Sequence, residues 1–129
     1  MIVVDTHAVI WLTQEQDMLS TAARAALMEG RREGRLAIAD ITLHEIAFQV
    51  VRGRVVVSAP LEGYLRFIES LFRVLPITGE IAERSVHFSP LFPRDPADRL
   101  IGATALVHGA RLVTRDELIH ASGEVQCIW

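Results

Sequence analysis

The chain has 129 residues, half of them hydrophobic, with a net charge of −3 and a mean hydropathy of +0.29. This predicts one globular domain over residues 1–129 and excludes a generally basic nucleic-acid coat. All 13 basic residues are arginine, which excludes P-loop and Schiff-base lysine chemistry, and the single cysteine, Cys127, excludes a disulfide framework.

The opening apolar stretch is short and lacks a basic region before it, so we expect neither a signal peptide nor a membrane anchor. With one cysteine and no such segment, a cytoplasmic location fits best. The high mean hydropathy also indicates apolar surface that a partner covers.

In chain order, the first half alternates predicted strands and helices. Residues 2–4 form a continuous apolar run, typical of a strand buried on both faces, and residues 8–12 form a helical turn or two. Ser20 is a candidate N-cap for a helix that reaches Glu29 and ends at Gly30. A second buried strand covers residues 36–39, and the next helix opens at Thr42.

The second half continues the alternation after an extended connector at residues 54–58. A long helical stripe begins at Leu61, and a third strand at about 74–77 leads through Thr78 into another helix. The proline-rich loop 89–96 precedes a nearly all-apolar helix from Ala97 to about His108, with Asp95 as its cap and Pro96 as its start. Residues 111–114 and 125–129 complete the predicted strands, the last at an edge.

This pattern predicts a three-layer α/β sandwich with a parallel sheet of four to five strands and right-handed crossovers. The carboxyl ends of parallel strands open onto one side, where α/β proteins bind ligands. Asp5, Glu45, Asp98 and Asp116 lie next to strand ends or helix starts, so we expect them to face that side. Each also has a structural alternative, because Thr42 and Glu45 match a capping box and the aspartates suit helix caps or first turns.

Four carboxylates in one cleft repel each other, and a hard divalent cation removes that repulsion. Mg²⁺ or Mn²⁺ prefers oxygen donors, so the cluster predicts such a cofactor rather than zinc. Thr6 and Thr114 stand beside two of the acids and are candidates to orient them, with ordinary capping or strand propensity as the alternative.

Four segments together resemble a PIN domain, and most closely the VapC-type toxin ribonucleases of bacterial toxin–antitoxin pairs. They are Val4–His7, Glu45, Asp95–Ile101 and Leu112–Asp116. The resemblance covers essentially the whole chain, in order and at family-like spacing. It implies a metal-dependent endoribonuclease in which Asp5, Glu45 and Asp98 are the central acids and Asp116 is a more variable fourth. It also implies the sheet order 3-2-1-4-5, a homodimer, and an antitoxin peptide that covers the cleft.

The cluster itself suggests hydrolysis by a metal-activated water, without a side-chain nucleophile. Arg99 and Arg115 beside the cluster, and Arg94 on the rigid loop, are candidate phosphate contacts. More remote candidates are Arg31, Arg32 and Arg35. A solvated face or an ion pair is the alternative for each. A single-stranded loop of a structured RNA is the expected substrate.

The histidines lack metal-ligand spacing, so we expect packing or surface roles even for His7 and His44, nearest the cluster. For Trp11 and Trp129 we expect core or interface roles rather than base stacking. Two other functions compete with this one. A phosphatase with an aspartyl nucleophile fits poorly, because His7 stands where a second aspartate is needed and lysine is absent. A catalytically silent PIN fold that binds RNA or assembles with partners is the stronger alternative.

Overall fold

The computed structural model describes residues 1–129, with five strands and seven α-helices in alternation. The strands are β1 (Ile2–Val4), β2 (Leu36–Ala39), β3 (Arg73–Leu75), β4 (Arg111–Val113) and β5 (Cys127–Ile128). The helices are α1 (Thr6–Gln14), α2 (Thr21–Arg32), α3 (Asp40–Val51), α4 (Leu61–Leu71), α5 (Gly79–Ser85), α6 (Pro96–Val107) and α7 (Glu117–Ser122). A short 3₁₀ turn at Gln16–Met18 follows α1.

All neighbouring strands pair in parallel, in the order β3-β2-β1-β4-β5. The predicted α/β sandwich and the strand order implied by the family resemblance are therefore confirmed. Successive residues of β1 belong to different cores: Ile2 and Val4 pack with Leu27 and Ile68 on one face, and Val3 packs with Ile101 on the other. Both faces of the sheet are thus covered by helices, as a continuous apolar strand predicts.

Two predicted helix boundaries were wrong. Helix α2 begins after Ser20, whose side chain accepts a hydrogen bond from the Ala23 amide, but it runs through Gly30 to Arg32. Gly30 is buried, and a Cβ there would lie 2.5 Å from the Leu36 side chain. The glycine therefore permits close packing of α2 on β2 rather than ending the helix, and Gly34, with φ +65°, follows it in the turn.

Helix α3 begins at Asp40 instead of Thr42, with Ala39 as its cap residue. The Thr42–Glu45 capping box is therefore wrong: both residues lie inside the helix, and Thr42 is fully buried. Strand β2 leads directly into α3, and no polar side chain caps the start of the helix. This placement turns Glu45 toward the carboxyl edge of the sheet, where it lines a cleft.

Other boundaries shifted by a few residues. Helix α1 is longer than the predicted turn or two, and β3 begins one residue earlier than expected. Helix α7 was not predicted, because only Asp116 and Glu117 signalled a turn there. The edge strand β5 is confirmed, although it spans just Cys127–Ile128.

Candidate active site

The four predicted acids meet around one cleft at the carboxyl edge of the sheet. Asp5 directly follows β1, Asp116 caps α7 beyond β4, Glu45 lies in α3, and Asp98 lies in the first turn of α6. The acid cleft has a volume of about 490 Å³. It is lined by Asp5, Thr6, His7, Trp11, Glu45, Gln49, Asp95, Asp98, Arg115, Asp116 and Glu117.

Asp5 is fixed through both carboxylate oxygens. Its Oδ1 accepts a 2.7 Å hydrogen bond from the Thr6 amide, which makes Asp5 the N-cap of α1. Its Oδ2 accepts a 2.8 Å hydrogen bond from the Thr114 hydroxyl. Burial raises the pKa of Asp5, and these two hydrogen bonds oppose that rise. Asp5 is therefore both a helix cap and a member of the cleft.

Glu45 is oriented by the other predicted hydroxyl. Thr6 is buried and donates a 2.5 Å hydrogen bond to Glu45 Oε1. Burial is the largest influence on Glu45 and raises its pKa, with a further rise from the charge of Asp5. Thr6 thus links α1 to α3, and its amide and hydroxyl contact two different acids.

Asp98 differs from these acids because its carboxylate forms no hydrogen bond within the protein. It is partly buried, and the loss of hydration raises its pKa from 3.8 to about 7. The nearby charges of Asp5, Asp95, Asp116 and Glu45 add to this rise. Asp98 is therefore the acid that bears most of the repulsion in the cleft.

Asp116 and Asp95 cap helices while they line the cleft. Asp116 Oδ1 accepts from the Leu118 amide at 2.8 Å and the Ile119 amide at 3.1 Å. Asp95 Oδ1 accepts from the Ala97 amide at 3.0 Å, as predicted for a cap. The second oxygen of each carboxylate has no hydrogen-bond partner. Capping and a place in the cleft are therefore compatible, and Asp95 is a cleft acid that sequence reasoning treated only as a cap.

The lining of the cleft suits a hard divalent cation, because carboxylates are its most numerous polar groups. As the side chains stand, no three His, Cys, Asp or Glu residues are arranged to coordinate one ion directly. Several acids with oxygens that lack protein partners nevertheless line the same space: both oxygens are free on Asp98, and one each on Glu45, Asp95 and Asp116. Mg²⁺ normally keeps several of its waters, so carboxylates can hold it through bridging water without direct coordination by three side chains.

The predicted arginines have three different environments. Arg115 lines the acid cleft, forms no ion pair, and lies over the Trp11 ring with its guanidinium carbon 5.7 Å from the ring centroid. Arg99 instead donates to the backbone carbonyls of Pro93, Phe88 and Ser89 at 2.8, 3.3 and 3.3 Å. The other predicted arginines are exposed and do not line the cleft: Arg94, Arg31, Arg32 and Arg35.

The sequence did not point to Gln49, and for Trp11 it predicted only a core or interface role. Gln49 lies one helical turn beyond Glu45, and this i, i+4 spacing could have revealed it. Trp11 does pack against the core, with its ring 5.7 Å from that of Trp129, but it also lines the cleft. Of the two histidines near the cluster, His7 lines the acid cleft and His44 does not.

A parallel sheet in this order, with acids gathered at its carboxyl edge, is the architecture of a PIN domain. A profile of that family matches residues 2–123, and the chain belongs to it. It is 35% identical to Ribonuclease VapC22 of Mycobacterium tuberculosis over 120 residues, which cover 93% of this chain and 90% of that protein.

Two solved structures share the fold over almost the whole chain. VapBC2 from Rickettsia felis, bound to a promoter DNA fragment, has a TM-score of 0.74 at 15% identity, covering 98% of this chain and 97% of that chain. DNA-bound VapBC from Salmonella typhimurium has a TM-score of 0.73 at 17% identity, covering 98% and 95%. None of the helices in the present structure is long and apolar enough to cross a membrane.

Proposed function

We propose that this chain is a metal-dependent endoribonuclease and the toxin of a toxin–antitoxin pair. The observation that carries the proposal is the convergence of Asp5, Glu45, Asp98 and Asp116, which are spread over more than a hundred residues, around one cleft. Belonging to the PIN-domain family and 35% identity to a VapC ribonuclease support it.

The electrostatics of the cleft support a bound Mg²⁺ or Mn²⁺. The raised pKa of Asp98 reflects burial and four neighbouring carboxylates, and a cation in the cleft lowers the cost of ionising them. Asp98, Glu45 and Asp116 would hold it through their unpartnered oxygens, and Asp5 from its fixed position. When bound, the cation supplies an activated water and neutralises charge on the scissile phosphate.

The protein residues position the reacting groups. Thr114 and Thr6 fix the orientation of Asp5 and Glu45, so these carboxylates do not need to reorganise during the reaction. Arg115, which has no ion-pair partner, is available to a phosphate of the substrate at the rim of the cleft. Since three backbone carbonyls engage Arg99, its part is to tie α6 to the loop before it.

The expected substrate is RNA, in a single-stranded loop of a structured molecule, because sequence-specific readers need unpaired bases. The expected partner is an antitoxin protein, since several solved structures of the same fold are toxin–antitoxin or VapBC complexes. We also expect a homodimer. Exposed apolar side chains such as Val51 and Val86 agree with covered surface in an assembly.

The test is cleavage of a labelled structured RNA with Mg²⁺ or Mn²⁺, with and without EDTA. We expect chelator-sensitive cleavage by the parent and almost none by Asp5→Asn or Asp98→Asn. A matched control is Glu69→Gln, which changes an exposed acid on α4 outside the cleft and should cleave like the parent.

The outcomes separate the alternatives. Cleavage in the presence of EDTA would contradict the proposed metal dependence. Asp5→Asn or Asp98→Asn variants as active as the parent would contradict the roles assigned to these acids. RNA binding without any cleavage would favour a catalytically silent PIN fold.

A further inference from the structure

A second groove adjoins the acid cleft. This side groove has a volume of about 520 Å³ and is lined by His7, Ile10, Trp11, Gln14, Glu15, Gln49, Arg54, Val55 and Val56. Three of these residues, His7, Trp11 and Gln49, also line the acid cleft. The two spaces are therefore adjacent, and Trp11 is one of the residues that lie between them.

Trp11 is held in place at this junction. Its ring centroid lies 5.7 Å from those of both His7 and Trp129, and it packs against the core below. On the cleft side, the Arg115 guanidinium lies over the ring. Packing therefore restricts the indole, while part of its surface remains accessible. An aromatic ring fixed in this way loses little conformational entropy when another flat group stacks on it.

The rest of the side groove has a mixed chemistry. Gln14 and Gln49 contribute side-chain amides, which can both donate and accept hydrogen bonds, and Arg54 adds a cation without an ion-pair partner. The aliphatic residues Val55 and Val56 make up part of the wall. A flat heteroaromatic group with a polar edge matches this lining better than an aliphatic side chain does.

We propose that the side groove is a nucleobase subsite, which binds one unpaired base next to the phosphate in the acid cleft. The base stacks on Trp11, its edge meets the amides of Gln14 and Gln49, and Arg115 and Arg54 contact flanking phosphates. This deepens the proposed function and rests on it, because the base must belong to the RNA that enters the cleft. It assigns Trp11 a substrate contact in addition to the packing role expected from the sequence.

The test measures binding without cleavage. The Asp98→Asn chain is titrated, with Mg²⁺ present, into a fluorescent 12-nucleotide single-stranded RNA of mixed sequence and into the same backbone with its bases removed. We expect about tenfold tighter binding of the RNA than of the abasic strand, as for one stacked base. Adding Trp11→Ala should abolish most of this preference, and Trp11→Phe should retain most of it.

Phe67→Ala is the control, because Phe67 is an exposed aromatic residue on α4 that lines neither space. It should leave the preference for RNA unchanged. Circular dichroism and thermal melting of each variant separate a lost contact from a lost fold.

The outcomes distinguish this subsite from the nuclease function. If the parent cleaves RNA but Trp11→Ala keeps the tenfold preference, the subsite is wrong and the function stands. If the preference depends on Trp11 but the parent never cleaves, the subsite stands and the nuclease assignment fails. If Trp11→Ala weakens binding of a partner protein and leaves the preference intact, the groove is a protein site and the proposal is overturned.

Discussion

The Thr114 hydroxyl donates a 2.8 Å hydrogen bond to Asp5 although 109 residues separate them along the chain. Strands β1 and β4 pair with Val4 opposite Val113, so the residues that follow them are neighbours at the sheet edge. The same hydroxyl accepts a 3.1 Å hydrogen bond from the Asp116 amide. One threonine therefore positions two of the four acids.

Thr114→Val should raise the metal concentration needed for half-maximal cleavage by about tenfold, because residues that orient metal ligands commonly affect affinity by ten- to a hundredfold. The substitution keeps the shape of the side chain but removes both hydrogen bonds. The measurement is the Mg²⁺ dependence of the cleavage rate. Thr104→Val is the control, since Thr104 is equally buried but bonds only to the Leu100 carbonyl. An equal change in both variants would mean that Thr114 acts through stability alone.

Asp98→Asn should raise the melting temperature of the metal-free protein near pH 8 and leave it almost unchanged near pH 4. The pKa of Asp98 rises from 3.8 to about 7 on folding, chiefly through burial. The folded state therefore binds more protons than the unfolded state between those values, so stability falls as pH rises through this window. The Asp98→Asn variant has no carboxyl group at this position, so its stability does not fall for this reason. The measurement is a series of thermal melts in EDTA from pH 4 to pH 8.

Glu69→Gln serves again as the control, and its melting curves should follow those of the parent across the series. A lower melting temperature for Asp98→Asn at pH 8 would show that Asp98 stabilises the start of α6 more than it suffers from the neighbouring acids.

Gly102→Ala should lower the free energy of unfolding by about 1–3 kcal/mol, as overpacking of a core usually does. A Cβ at this position of α6 would lie 2.7 Å from Phe92 Cζ and 3.2 Å from Phe88 Cζ, and those two rings are stacked. Urea denaturation measures the change. Gly63→Ala, in α4 with nothing near its would-be Cβ, should instead stabilise the protein by about 0.5–1 kcal/mol. Similar effects of the two substitutions would contradict this packing argument.

Arg115→Met and Arg99→Met should affect different quantities. Arg115 is exposed and has no ion pair, so its loss should raise the KM for RNA several-fold with little change in melting temperature. Loss of Arg99 leaves the Pro93 and Phe88 carbonyls without this donor, while the Ser89 carbonyl keeps its bond from the Phe92 amide, so the melting temperature should fall by several degrees. Steady-state cleavage kinetics and thermal melts on both variants give the comparison. Reversed effects would exchange the two roles.

The layers and strands could be predicted from the sequence because continuous apolar runs such as Ile2–Val4 are typical of strands buried on both faces. The helix boundaries were harder to predict. In the sequence, Gly30 cannot be distinguished from a glycine that ends a helix. Only its closeness to the Leu36 side chain in the folded protein shows that it permits close packing instead. Helix α3 begins without a polar cap, so the capping rule pointed to Thr42, two residues too late.

The convergence of the four acids at one cleft could be predicted from their positions next to strand ends or helix starts and from the family resemblance. Their partners depend on tertiary contacts. The Thr6 to Glu45 hydrogen bond joins two helices and has no local sequence pattern. The hydrogen bonds of Arg99 likewise depend on the directions of the carbonyls in residues 88–93, and these directions cannot be read from residue spacing. The side groove next to the cleft was missed for the same reason.

The pairing of β1 with β4 has a consequence for the newly made protein. Chains emerge from the ribosome with their N-terminus first, so Asp5 is exposed long before Thr114 and Asp116 exist. Until those last residues join the sheet, Asp5 lacks the hydrogen bond from Thr114, and Asp116 is missing from the cleft. A chain built in this order cannot complete its acid cleft until its synthesis is nearly finished.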